Sequence, residues 1–90
     1  MNGSKKENPK AFILISTDPS MIKKTSEHLL TLDRVQNIHE LYGQFDIIIK
    51  VITENRSDLD DFSEDSIRHL PGIRRTETLI VSDISSKMKI

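Results

Sequence analysis

Two short apolar runs constrain the fold of this chain more than any other feature. They occupy residues 11–17 and 46–52, and each is rich in β-branched residues. Both runs are too short for a buried helix. As strands, both would present apolar side chains on each of their two faces, with Lys50 as the exception. The pattern therefore predicts two central strands of one sheet, each covered on both sides.

A helix is predicted after each central strand. Asp18-Pro19 is a start signal, because aspartate accepts hydrogen bonds from the first free N–H groups and proline at the first helical position loses none. This helix is expected to end near residues 32–34. The second helix is expected to be capped by Ser57 or Asp58 and to end at Pro71-Gly72. Apolar residues recur at helical spacing in both: Ile22, Thr25, Leu29 and Leu32, then Leu59, Phe62, Ile67 and Leu70.

Residues 35–41 and 73–81 mix apolar and polar side chains, which is typical of edge strands. The resulting order is strand, helix, strand, strand, helix, strand. This order predicts an α+β, ferredoxin-like fold, in which a four-stranded antiparallel sheet carries two helices on one face. Because the central strands are apolar on both sides, the other face is predicted to be covered by a second subunit, which makes a dimer.

Composition limits the possible functions. The 90 residues suit one domain, expected at 11–83, with disordered tails at 1–10 and 84–90. There is no cysteine, so disulfides and thiolate chemistry are excluded, and a net charge of −1 disfavours direct DNA binding. The longest apolar run has five residues, too few for a membrane span, and the polar first residues do not resemble a signal peptide. A cytoplasmic location is expected.

The segment between the two halves, Tyr42-Gly43-Gln44-Phe45-Asp46, is the first candidate binding site. Glycine permits positive φ, and the turn would expose N–H groups and one carboxylate to a small polar molecule. The three histidines share no ligand spacing, and no serine has an assignable histidine and aspartate partner. We therefore expect no metal, no cofactor and no catalytic residue.

Three segments together give the sequence a family resemblance. The apolar strand 11–15, the turn with its following strand at 42–51, and Leu-Pro-Gly-Ile at 70–73 followed by Thr76-Glu77-Thr78 resemble the effector domain of the Lrp/AsnC family, also called the RAM domain. The resemblance covers about residues 10–83. Full-length members also carry a helix-turn-helix DNA-binding domain, whereas only ten residues precede the first strand here, so the chain resembles the stand-alone effector modules of archaea and some bacteria.

The resemblance implies amino-acid sensing and transcription regulation. It implies dimers that pair through their sheets, rings of dimers such as octamers, and an amino-acid effector bound near the contacts between dimers. It also implies mixed oligomers with full-length Lrp/AsnC regulators, and no direct DNA binding by this chain. Carried over by position, the ligand-binding residues are Tyr42, Gly43, Gln44, Asp46, Thr76, Thr78 and Ile80.

Other interpretations of the same residues remain open. Gly43 and Asp46 could simply build the turn, the threonines could be ordinary strand residues, and Arg74 and Arg75 suit a surface or an interface better than carboxylate binding. At the level of function, the alternatives are a small dimeric α+β-barrel enzyme of monooxygenase type and a purely structural oligomerisation module. The 4% aromatic content argues against the enzyme.

Overall fold

The chain folds into one four-stranded antiparallel sheet. A computed structural model describes residues 10–81, so the predicted tails fall outside the described residues except for Lys10. The strands are β1 (Lys10–Thr17), β2 (Val35–Glu40), β3 (Ile47–Ile52) and β4 (Ile73–Ile80), in the spatial order β2-β3-β1-β4. The ferredoxin-like fold is confirmed, with β1 and β3 in the centre and β2 and β4 at the edges.

The first helix, α1 (Ile22–Leu29), follows a single 3₁₀ turn, Pro19–Met21. Asp18 caps this turn as predicted, because its carboxylate accepts a hydrogen bond from the Ser20 N–H at 3.0 Å. The predicted end near residues 32–34 was wrong, since α1 ends at Leu29. The backbone N–H and the hydroxyl of Thr31 both donate to the His28 carbonyl, at 3.0 and 2.7 Å, which tightens the chain out of the α-helix.

The second helix, α2 (Arg56–Phe62), continues into a π-helical turn, Ser63–Ile67. Its predicted cap was also wrong, because Asn55 caps it by accepting from the Asp58 N–H at 2.8 Å. Asp58 does not cap α2 but accepts from the Glu54 N–H at 2.9 Å and pairs with Arg34, also at 2.9 Å. The carboxylate of Asp58 therefore fastens the loop before α2 to the loop before β2.

The core lies between the sheet and the helices. Ile13 and Ile15 of β1 pair in register with Ile49 and Ile47 of β3, and all four side chains are fully buried. The helical segments cover them with Leu29, Leu59, Phe62 and Ile67. Burial of an aliphatic side chain of this size contributes about 1.5–3 kcal/mol, so this layer holds the helices on the sheet.

The opposite side of the sheet, here called the second face, is also apolar. Its apolar side chains are those of Phe12, Leu14, Ile48 and Ile52, which alternate with the core residues and are half-buried, and of Leu79 on β4, which is 45% exposed. No element of the described chain packs across this face. Within residues 10–81, no helix has the length and apolar character needed to cross a membrane.

Candidate functional site

The predicted turn protrudes from one end of the sheet. Gly43 has φ of +146°, which is the conformation for which glycine was expected, and a Cβ built there would have no neighbour within 4 Å. Tyr42 is fully exposed, and Gln44 is exposed beside it. The tip of the turn is therefore open to solvent.

Asp46 fastens this turn to β1. One of its carboxylate oxygens accepts a hydrogen bond from the buried Thr17 N–H at 2.9 Å, and its own N–H donates to the Ile15 carbonyl at 2.8 Å. The Thr17 hydroxyl in turn donates to the Gly72 carbonyl at 3.0 Å. A continuous set of hydrogen bonds thus links the turn to the residue that precedes β4.

Phe45 makes a second link from the turn to β4. The guanidinium carbon of Arg75 lies 4.7 Å from the centre of the Phe45 ring, within the range of a cation–π contact. Arg75 of β4 lies directly opposite Ser16 of β1, near the end of the sheet from which the turn protrudes. Its side chain can therefore reach the turn.

A polar groove of about 560 Å³ lies between β4 and the second helical segment, which consists of α2 and the π-helical turn that follows it. Thr76 and Thr78 are in register with the buried Ile15 and Ile13, so they lie on the side of the sheet that carries the helices. The helices do not cover them fully, because Thr76 is half-buried and Thr78 is exposed. The nine residues that line it are Asp60, Ser63, Glu64, Arg68, Ile73, Arg74, Arg75, Thr76 and Thr78. Ile73 is the only hydrophobic residue among them.

The π-helical turn shapes one wall of the groove. The Arg68 N–H donates to the Ser63 carbonyl at 3.0 Å, a bond that spans one residue more than in an α-helix. This wider turn places Ser63, Glu64 and Arg68 together on the groove. Single π-helical turns within α-helices are rare and occur frequently at functional sites.

The charges in the groove are held by weak, solvent-exposed ion pairs. Arg68 lies 3.2 Å from Glu64, and Asp60 lies 3.8 Å from Arg56, each one helical turn apart and all more than half exposed. Pairs of this kind contribute little to stability, so a ligand can compete for either member. Hydroxyl and guanidinium groups suit a carboxylate, and the two acidic side chains suit an ammonium group.

Arg74 is held at the end of the groove by Asp18, at 3.6 Å. The backbone N–H and then the hydroxyl of Ser20 lower the pKa of the Asp18 carboxyl below its ordinary value, and the charge of Arg74 adds a smaller effect in the same direction. Asp18 thus both caps the 3₁₀ turn before α1 and orients Arg74 at the groove.

The structure divides the predicted site residues into two groups. Thr76 and Thr78 line the groove, whereas Ile80 lies further along β4, is 47% exposed and does not line it. Tyr42, Gly43, Gln44 and Asp46 lie outside the groove, in the turn. One chain does not bring the seven residues into a single pocket.

Sequence reasoning missed the helical wall of the groove. Asp60, Ser63, Glu64 and Arg68 were not predicted as site residues, because acidic residues near a helix start are ordinary and a π-helical turn has no local sequence signal. The alternation of β4 could have indicated that Thr76 and Thr78 share one side of the strand, but not which helical residues lie opposite.

A ferredoxin-like sheet with one bare apolar face and a polar groove along an edge strand is an arrangement suited to binding a small polar ligand. The family model for the Lrp/AsnC ligand binding domain matches residues 10–88. The chain belongs to this family.

Relatives and solved structures agree with this assignment. The HTH-type transcriptional regulator FL11 of Pyrococcus abyssi is 31% identical over 71 residues, a match that covers 79% of this chain and 46% of that protein. The chain thus spans about half the length of the curated regulators it matches.

Among solved structures, FFRP-DM1 is 36% identical with a TM-score of 0.79, and the match covers 82% of this chain and 99% of that one. A transcriptional regulator of Neisseria meningitidis, NMB0573, solved in complex with L-methionine, shares the fold at 16% identity and a TM-score of 0.79. That match covers 93% of this chain and 56% of the regulator.

Proposed function

We propose that this domain senses an amino acid and regulates transcription through other proteins, without catalysing a reaction. The observation that carries the proposal is the groove, in which the hydroxyls and guanidinium groups of β4 lie opposite a helical wall that carries two carboxylates as well as Ser63 and Arg68. An amino acid is zwitterionic, so it needs both kinds of partner at short separation. Family membership supports ligand binding as such, and one protein that shares the fold, NMB0573, was solved with L-methionine.

In the proposed complex, the carboxylate of the amino acid accepts hydrogen bonds from Thr76, Thr78 and Arg74. Its ammonium group lies near Asp60 and Glu64 on the helical wall. Only Ile73 offers apolar contact, so the groove favours a polar side chain on the ligand over a large aliphatic one.

The turn contributes to this proposal from another subunit. Tyr42, Gly43 and Gln44 are exposed and contact no groove of their own chain, so a neighbouring copy is the source of a groove they could close. We place Asp46 in a supporting role, because one of its carboxylate oxygens already holds the Thr17 N–H. Ile80 does not line the groove of its own chain, so it would approach a bound ligand only in an assembly of several copies.

We further propose that two copies pair through the second face. Its apolar centre would otherwise remain open to water, and identical apolar faces commonly pair about a two-fold axis. Such dimers could join full-length Lrp/AsnC regulators in mixed oligomers, as the identity with FL11 allows. A net charge of −1 leaves few phosphate contacts, so the domain alone is not expected to bind duplex DNA selectively.

The test is a thermal-denaturation screen with the twenty amino acids. A ligand present at about one hundred times its Kd adds about 2.7 kcal/mol, which raises the Tm of a domain this size by about 10 °C or more. The double variant Thr76→Val and Thr78→Val should lose most of that shift, and Ser57→Ala, exposed on α2 outside the groove, should keep it. If no amino acid raises the Tm of the wild type, the sensing proposal is wrong and a structural oligomerisation module remains.

A further inference from the structure

The second face carries four charged side chains: Lys50 and Glu77 beside its apolar centre, and Lys10 and Arg75 towards its two ends. Lys50 of β3 is half-buried, and Glu77 of β4 is exposed. Neither side chain forms an ion pair with any residue in the described range 10–81. If the face is covered, each charge loses water, and an unpaired charge in such a place is strongly unfavourable. Arg75 lies two residues from Glu77 on the same side of β4, whereas the register places no carboxylate of the described chain beside Lys50, so the covering surface must supply one for the lysine.

The strand register shows where the two charges stand. Glu77 lies in one row of the sheet with Leu14, Ile48 and His39, from β4 across to β2. Lys50 lies in the next row of the same face, between Asn37 of β2 and Phe12 of β1. Glu77 thus occupies one edge of the face, whereas Lys50 lies near the opposite edge.

Two-fold symmetry relates these two positions. When two copies of this sheet pack face to face about an axis parallel to the strands, the strand order reverses on the partner, and its β4 lies over β2. The partner's Glu77 then stands over the row of His39, next to Lys50. An axis perpendicular to the strands would instead place β4 on the partner's β4, two strands away from Lys50, and would leave that lysine without a carboxylate.

The surface beside Lys50 can receive a carboxylate. A depression of about 100 Å³ lies there, and its polar wall consists of Asn37, His39 and Lys50. Phe12 and Ile48 form its apolar floor. All three polar side chains carry N–H groups that can donate to a carboxylate, and the lysine supplies the full positive charge.

We propose that a second copy of this chain covers the second face, with the partner's Glu77 in the depression beside Lys50, so that two symmetric ion pairs fix how the sheets pair. This inference rests on the sheet-to-sheet dimer of the proposed function and specifies its register. Charge pairs at the margin of an apolar interface select the partner more than they add affinity. The pair therefore also decides which other sheets of this family can join a mixed dimer.

The test is a charge exchange, measured by analytical ultracentrifugation at micromolar concentration. Lys50→Glu and Glu77→Lys should each raise the Kd for self-association at least about tenfold, because like charges then meet in both symmetric sites. The doubly exchanged protein, and an equimolar mixture of the two single variants, should each recover dimers. Lys23→Glu and Glu27→Lys, exposed on α1 at the other side of the molecule, are the matched controls and should dimerise as the wild type does.

The possible results distinguish the ion pair from the sheet-to-sheet dimer on which it rests. A wild-type protein that stays monomeric would reject the sheet dimer itself, and the inference with it. A dimeric wild type whose single variants associate unchanged, or whose mixture recovers no dimer, would reject the ion pair and leave the dimer standing.

Discussion

At the scale of single residues, Asp46 acts first as a support for the sheet. Its carboxylate holds the N–H of Thr17, a residue that is 1% exposed, so removing the acceptor leaves a buried donor without a partner. Asp46→Ala is expected to lower the free energy of unfolding by about 1–3 kcal/mol. Asp46→Asn retains an oxygen acceptor and should lose less. Urea denaturation measures both, and an Asp46→Ala protein as stable as the wild type would show that this hydrogen bond is dispensable.

Two glycines with positive φ provide a matched pair. Gly72 has φ of +86°, and a Cβ there would lie 2.7 Å from Met21 Cγ and 3.3 Å from Thr17 Oγ1. Gly43, at φ of +146°, has open space around the same position. Gly72→Ala should therefore combine backbone strain of about 1–2 kcal/mol with a steric clash, and Gly43→Ala should show the strain alone. Thermal denaturation that ranked Gly43→Ala as the more damaging change would contradict this explanation.

At the scale of the elements, the N-cap of α2 is Asn55, whereas the sequence pattern predicted Ser57 or Asp58. Asn55→Ala should lower the free energy of unfolding by about 1 kcal/mol, because it removes the acceptor for the Asp58 N–H. Ser57→Ala should have almost no effect, since Ser57 is exposed inside the helix and makes no cap. Chemical denaturation that found the serine change more costly would restore the cap predicted from sequence.

The cap of the first helical segment gives a pH dependence. The folded pKa of Asp18 is lowered below the ordinary value of 3.8, so its contribution to stability is present above that value and is lost as the pH falls through the folded pKa. Asp18→Asn removes this titration. The difference in stability between wild type and variant should therefore shrink as the pH is lowered below about 3.8, when both are unfolded by urea across that range. A difference that stayed constant with pH would show that the charge of Asp18 contributes nothing.

The elements were predictable to the extent that short-range patterns determine them. The runs of isoleucine in β1 and β3 predicted central strands, and the mixed composition of β2 and β4 predicted edges, because burial of each face fixes which residues can be apolar. The cap at Asn55 was missed because three residues within one short segment, Asn55, Ser57 and Asp58, could each cap a helix, and only the backbone conformation selects one.

The groove was less predictable than the sheet. Thr76 and Thr78 were expected at a site on the basis of family resemblance, and they do line the groove, but their partners Asp60 and Glu64 come from a helix that no local pattern placed opposite β4. Contacts between elements distant in the chain depend on how helices cross the sheet, which sequence spacing within each element does not encode.

At the scale of the whole molecule, the apolar second face predicts an assembly. No described element covers this face, and the chain mass is 10.3 kDa. Light scattering at micromolar concentration should therefore give at least about twice the mass of a single chain. A stable monomer would mean that the second face tolerates water and that the sheet does not pair.

The same assembly should depend on its apolar centre. Leu14→Glu places a charge in the middle of the second face, in the same row as Ile48, and should abolish self-association while the helical core remains intact. Circular dichroism checks that the protein stays folded, and Glu27→Lys on α1 is the control. Continued dimerisation of a folded Leu14→Glu protein would place the interface elsewhere.

Binding of an amino acid in the groove can be measured by calorimetric titration. The amino acid with the largest effect in the thermal screen is titrated into the wild type and into Thr78→Val, whose hydroxyl lines the groove. We predict one site per chain in the wild type and about tenfold weaker binding in the variant, because a hydrogen bond to a charged group contributes about 1.5 kcal/mol or more. Equal affinity in the two proteins, or no heat of binding from any of the twenty amino acids, would contradict the account.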